Sequence, residues 1–334
     1  MRKPFVPYFS FAILSNPRRK NGILEKGALI SNHCDELVRM IPDVKRYFYL
    51  VERRGWYGEN CQKMADIKLV DDPTTIEETR HRFPNAIVLE FSNADFVNTD
   101  IFKPFGISKQ YDGIQIAAWE EFKRHDLFVK AAALLPQRTF IKFGHCWGKG
   151  DIKRYKLKLK TIILAKRLHA NIHFPFWYFL SNKKLPQSAE EVNAIINTAR
   201  MGILTTTREG VNRFKMECLS ANIPVLVPED VEPPTKKHIN EKTGVFFKPT
   251  PTDLAKAIEY VLNHYEQFSP REYILAHTGI HKALPRLKEA LQECALKDGF
   301  YRDFEEVFWD GRNQSMIWDK NLAVGEVIGA IKGT

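Results

Sequence analysis

The stretch from Met201 to Val227, MGILTTTREGVNRFKMECLSANIPVLV, leaves few folds open to this chain. Gly202 to Thr207 is a short apolar and β-branched run, the pattern of a buried strand. Arg208-Glu209-Gly210-Val211-Asn212 has turn chemistry, with a glycine where backbone could approach a ligand closely. Asn212 is placed to cap a helix from Arg213 to about Ala221. Asn222-Ile223-Pro224 stops that helix, and Val225-Leu226-Val227 opens the next strand. Strand, loop, helix, strand is a βαβ unit of a parallel sheet, so the fold class is α/β.

Such a unit sets the loop and the helix start at the carboxyl edge of the sheet, where open α/β folds bind ligands. Free N–H groups and the positive end of the helix dipole suit a phosphate there. Glu209 in the loop and Glu217 in the helix bracket the turn, and a carboxylate accepts hydrogen bonds from sugar hydroxyls. Together they point to a ligand with both phosphate and diols. Taken singly, either glutamate also fits a surface salt bridge to Arg213 or a lysine.

The 334 residues suffice for two domains. No apolar run approaches the roughly 20 residues of a membrane span. The opening segment, basic and then apolar but broken by Pro4 and Pro7, reads as a first strand rather than a signal peptide. Cys34, Cys61, Cys146, Cys218 and Cys294 are scattered without a C-x-x-C pair, which argues for reduced thiols in the cytoplasm and against structural zinc. A formal charge of +10 favours an anionic partner: a nucleotide, a membrane surface or nucleic acid.

Before the βαβ unit, patterning places strands over 9–14, 46–51, 67–70 and 85–91 and helices over 24–41 and 74–82. A further strand over 112–118 leads through Trp119–Asp126 into a helix over 127–135. Thr139 to Phe143 is a strand ending at Gly144. Residues 149–184 are the most basic region, with Asp151 the one acid among them. A helix over 152–168 gathers Tyr155, Leu159, Ile162 and Ile163 on one side, with Lys153, Lys156, Lys160 and Lys166 elsewhere. That helix either packs its apolar side on the sheet or lies on anionic membrane or phosphate. Residues 171–174 read as a strand and 188–198 as a helix. Thr250 caps a helix begun by Pro251, and one more helix runs from Pro285 to about Lys297.

The Met201–Val227 stretch resembles the E-x7-E region of retaining glycosyltransferases of the GT-B fold, above all family 4. Ala221-Asn222-Ile223-Pro224-Val225 fills its Gly-Ile-Pro-Val-like slot, with Asn222 where the family usually has glycine. Asn98–Pro104 is similar to the family's connection between domains, and Thr243-Gly244 to its turn into a short strand. The resemblance implies two Rossmann-like domains facing across a cleft. It divides the chain into an abbreviated acceptor domain over 1–104, a donor domain over 105–285 and a tail over 286–334, with Trp309 and Trp318, packing across the boundary. It also implies a nucleotide-sugar donor, a hydroxyl acceptor (glycan, lipid-linked saccharide or other) and no metal or other cofactor. Glu209 and Lys123 would be catalytic. Glu217, Gly210, Val211, Asn212, Arg124, Gly144 and His145 would bind the donor. Lys123 would neutralise the leaving diphosphate; the arginine that usually precedes it is Ala118 here, and Arg124, Arg208 or Arg213 could replace it. His145 and Trp147 fall where this fold passes the nucleotide, and such residues more often simply pack.

Two other classes fit parts of the same pattern. The basic charge suits a nucleic-acid-directed protein, either a DNA base glycosyltransferase or a non-catalytic binder. The fold also suits a sugar-nucleotide epimerase or hydrolase.

Overall fold

The computed structural model describes residues 11–53, 62–144, 152–175, 188–311 and 320–334. His145, Cys146, Trp147 and Trp318 lie outside the described residues, as do Cys61 and, of the 149–184 region, residues 149–151 and 176–184. The chain divides into two compact units: Met1–Phe96 with Ile280–Thr334, and Val97–Gly279.

The first unit is built on a five-stranded sheet. Its strands are β1 (Phe11–Ser15), β4 (Gly27–Ser31), β5 (Phe48–Arg53), β6 (Ile67–Leu69) and β7 (Ile87–Leu89), in the order β1-β4-β5-β6-β7. Strand β1 runs antiparallel on the edge and the others are parallel. A hairpin of β2 (Arg18–Lys20) and β3 (Ile23–Glu25) turns through Asn21-Gly22, both at positive φ of 53° and 79°. That is the conformation Asn-Gly supplies in two-residue turns.

The helix expected over Leu24–Ile41 is therefore wrong in its first half. Strands β3 and β4 occupy it, and helix α1 spans only Cys34–Met40. Gly27-Ala28-Leu29-Ile30-Ser31 is buried throughout, and a strand buried on both faces has no polar alternation to set it apart from a helix.

Alternation decides which side each strand residue serves. Ala28, Ile30, Tyr49 and Val51 face a core completed by Leu287, Leu291, Phe304 and Trp309. Leu29, Phe48 and Leu50 face another, with Leu37 of α1 and Val327 of the helix over Lys320–Lys332. Helix α2 is Val44–Tyr47 and α3 is Ile76–Arg82. The helix expected from Pro285 begins at Ile280 instead and holds Pro285 inside it. Trp309 packs on Phe96, ring centroids 4.6 Å apart.

The second unit is a six-stranded parallel sheet of β8 (Tyr111–Ile116), β9 (Phe140–Phe143), β10 (Ile172–His173), β11 (Ala199–Ile203), β12 (Val225–Pro228) and β13 (Gly244–Phe247). Its order is β10-β9-β8-β11-β12-β13. The chain starts at β8, winds outward through β9 and β10, returns beside β8 as β11, and winds away on the other side. The winding reverses between β8 and β11, the place where a doubly wound sheet opens a crevice.

Helices α4 (His125–Ala133), α5 (Ile152–Arg167), α6 (Ala189–Asn197), α7 (Arg213–Ser220), α8 (Pro233–Lys236), α9 (Pro251–Asn263) and α10 (Pro270–His277) complete this unit. Leu127, Phe128 and Ala131 of α4 and Leu254, Ile258 and Val261 of α9 cover one sheet face. Local chemistry sets the helix starts. Ser188 and Glu191 form a reciprocal capping box on α6, and the Thr250 side chain caps α9 ahead of Pro251. Where the chain enters this unit, the Phe102 carbonyl accepts hydrogen bonds from Ser220 Oγ (2.6 Å) and Arg271 Nη1 (2.9 Å).

Two expectations change. The strand expected to reach Thr207 stops at Ile203, which frees residues 204–207 for the loop. Helix α5 does not bury the side that carries Tyr155, Leu159 and Ile163: all three are exposed, and Lys158, Thr161 and Ala165 are buried instead. Among the described residues no helix is long and apolar enough to cross a membrane.

Candidate active site

The carboxyl ends of β8 and β11 open onto a small cavity at the reversal point. It is lined by Gln115, Ile116 and Ala117 after β8, Ile203–Thr206 after β11, and Lys123 and Asn212 from the two following loops. Its volume of about 10 Å³ is room for one water, so a larger ligand would lie across the mouth rather than inside.

Each loop enters the site through identifiable chemistry. After β8, a single turn over Glu121–Lys123 ends at Arg124, which takes the left-handed conformation (φ 45°) to start α4. That turn buries Lys123, 6% exposed, with its Nζ against Glu209 Oε2. Burial pulls the Lys123 ammonium down to about 7, with Glu120 opposing. After β11, Asn212 caps α7 by accepting a hydrogen bond from the Lys215 N–H (2.8 Å). Val211 is buried, Gly210 half-buried, and Glu217 buried one to two turns into the helix.

Long-range ties hold these loops. The Thr235 hydroxyl lies 3.0 Å from both the Glu209 and Gly210 carbonyls. Lys215 Nζ, fully buried, donates to the carbonyls of Thr235 (2.8 Å) and Lys237 (2.5 Å), fixing the short helix α8 that carries Thr235. Arg124 forks onto Asp230 at 2.7 and 2.8 Å and donates to the Thr205 and Thr206 carbonyls, holding the Asp230 carboxyl below its usual range. Gly144 ends β9 so close to β8 that a Cβ there would stand 1.5 Å from the Ala117 oxygen. Asn222, in the family's glycine position, has φ 61°, a conformation asparagine tolerates better than most residues.

Beneath the cavity runs a buried polar chain. Lys142 Nζ meets Gln115 Oε1 and lies 2.9 Å from His125 Nδ1, over the Trp119 ring. Gln115 Nε2 donates to Thr205 Oγ1 (3.0 Å), and that hydroxyl donates to the Lys123 carbonyl. The loop that presents Lys123 is thus anchored from below.

Residues 97–273 match the family model for Glycosyl transferases group 1, more than half of the chain. The chain belongs to that family. It is a group 1 glycosyltransferase, an α/β protein of the GT-B fold with two Rossmann-like domains. Sucrose-phosphate synthase from Thermosynechococcus elongatus superposes with a TM-score of 0.56 at 16% identity, covering 74% of this chain and 69% of that one. HepE from Anabaena, solved with UDP and glucose, gives 0.58 at 12% identity, covering 77% and 75%. The pneumococcal O-GlcNAc transferase GtfA, solved with UDP and GlcNAc, gives 0.54 at 14%, covering 78% and 54%. At these identities the likeness speaks for the fold alone. No curated protein sequence matches the chain.

In this group 1 enzyme Lys123 and Asn212 line the cavity together, Glu209 is joined to it through its contact with Lys123, and Gly144 packs against Ala117 of the wall. The guanidinium of Arg124 is committed to Asp230 and two carbonyls. Arg208, exposed, lies over the Phe122 ring at 5.0 Å, and Lys123 Nζ lies 5.2 Å from the same ring. Thr235, Lys215, Gln115 and Lys142 are structural partners that sequence patterning did not single out. Asp72, half of an Asp-Asp pair, accepts a hydrogen bond from the Thr74 N–H as a helix cap.

Burial holds the Lys142 ammonium well below its ordinary range, and Lys123 adds to the effect. The folded enzyme has therefore released a proton that the unfolded chain keeps up to about pH 10.4. Stability from this lysine rises with pH between its lowered value and that limit. Urea unfolding of the wild type and of Lys142→Met should diverge as pH rises, by up to about 1.4 kcal/mol per pH unit. Parallel pH dependences for the two proteins would contradict a buried neutral lysine.

Proposed function

We propose that this glycosyltransferase moves a sugar from a nucleoside-diphosphate donor to a hydroxyl acceptor with retention at the anomeric carbon. The observation that carries the proposal is the Lys123–Glu209 pair at the β8/β11 crevice, a cation lining the cavity with a carboxylate against it and Asn212, the α7 N-cap, in the same lining. A diphosphate laid across the cavity mouth competes with Glu209 for Lys123. The lysine turns to the phosphate oxygens, and the freed carboxylate accepts hydrogen bonds from the sugar hydroxyls. Glu217 faces the ribose hydroxyls in this scheme, and Arg208 supplies the second cation absent at Ala118. Scission sends the electron pair of the C1–oxygen bond to the diphosphate. The acceptor oxygen bonds C1 on the same face, and its proton passes to a diphosphate oxygen. The donor's negative charge is met by Lys123, Arg208 and the helix dipole, so no metal is assigned to the site.

HepE and GtfA were solved with UDP, which makes uridine-diphosphate sugars the first donors to test. Incubation with UDP-, GDP- and ADP-sugars and simple hexoside acceptors should release the nucleoside diphosphate and form a linkage of unchanged anomeric configuration, read by proton coupling constants. Glu209→Gln should depress that release at least about tenfold. An inverted linkage, or free sugar as the sole product with every acceptor, would contradict the proposal.

A further inference from the structure

Helix α5 is built inside out for a surface helix. Its sequence, IKRYKLKLKTIILAKR, holds no acid. The side turned inward buries Lys158, Thr161 and Ala165. The outward side exposes Ile152 (66%), Tyr155 (49%), Leu159 (55%) and Ile163 (63%). At 3.6 residues per turn these four fall in one stripe along the helix. Lys153, Lys156, Lys160, Lys166 and Arg167 are exposed around it, with Lys156, Lys160 and Arg167 along one flank. A helix whose only task is to cover the sheet would show the reverse pattern. An exposed apolar row rimmed by charge marks a contact surface.

We propose that this face of α5 docks on an anionic lipid surface. The two halves of the pattern select the occupant together. The apolar stripe needs an apolar medium, which a nucleic-acid backbone does not offer. The lysines need anions beside that medium, and their methylene stems can lie along it while the ammonium groups stay at the headgroups. An acyl interface carrying negative headgroups meets both demands, and the +10 charge of the chain adds long-range attraction. The exposed ion pair of Lys153 with Glu121, at 3.5 Å, is solvated on both partners and yields readily. The helix would lie in the plane of the interface without spanning it.

The test is flotation of the full chain with vesicles of phosphatidylcholine alone and of phosphatidylcholine with phosphatidylglycerol. The wild type should float with the anionic vesicles and weakly or not at all with the neutral ones. Lys156→Gln/Lys160→Gln should lose about fivefold in affinity per lysine. Leu159→Ser/Ile163→Ser should lose at least about tenfold. All four side chains are exposed, so both variants should keep the wild-type melting temperature and their transfer to a soluble acceptor. That separates a failure here from a failure of the proposed chemistry. A wild type that does not float with anionic vesicles overturns the proposal. So does a serine variant that floats as well as the wild type, or preferential binding of short duplex DNA that the serine substitutions leave unchanged.

Discussion

Lys123→Met is expected to lower turnover at least about 10²-fold while the protein stays folded. Removing a fixed group that meets developing negative charge costs about that much. Methionine keeps much of the buried volume, and Glu209 has some solvent to turn to, its side chain being 16% exposed. The pH profile gives a second reading of the same residue. With the free-enzyme ammonium at about 7, kcat/KM for the donor should fall as pH rises through that value, because the charged form is the one that binds diphosphate. A bound diphosphate favours the proton, so kcat should hold to higher pH than kcat/KM. Lys123→Arg, which stays charged, should lose this alkaline limb even if its longer side chain lowers the rate. A methionine variant within threefold of wild type, or an unchanged limb in the arginine variant, would remove Lys123 from the chemistry.

Gly144→Ala should be the most damaging single methyl group in the site. The added Cβ meets the Ala117 oxygen at 1.5 Å and the Ala117 carbonyl carbon at 2.6 Å, both backbone atoms without a rotamer to escape into. The ends of β8 and β9 must part, disturbing Ala117 on the cavity wall and the hydrogen bond from Trp119 Nε1 to the Gly144 carbonyl (3.1 Å). We expect a loss of about 3 kcal/mol in urea unfolding, at the top of the usual range for overpacking. Transfer activity should fall even in the fraction that folds. Wild-type stability and rate in this variant would mean that the strand ends are not held as described.

The course of the second sheet was largely legible because its signals are local. Asn212 and Thr250 announce their helices by cap chemistry, and Ile223-Pro224-Val225 announces β12. What escaped was whatever depends on partners distant in sequence. Lys142 looks like a strand lysine with a solvated head, and only its register opposite Gln115 shows that it is buried. Thr235 and Lys215 stand twenty residues apart, and no spacing rule says that one anchors the other. Patterning merges the Gly27–Ser31 strand into a helix because a short run buried on both faces carries no period. Helix α5 teaches a different lesson. Periodicity correctly gathered Tyr155, Leu159 and Ile163 on one side, but it cannot say which side a neighbouring element will cover.

The central claim is that a diphosphate is held against Lys123 where the sheet reverses its winding. Calorimetric titration of UDP, GDP and ADP into the wild type and Lys123→Met tests it most directly. Whichever nucleotide binds the wild type should bind the variant at least about tenfold more weakly, a difference of about 1.4 kcal/mol. Equal affinities in the two proteins would contradict the account.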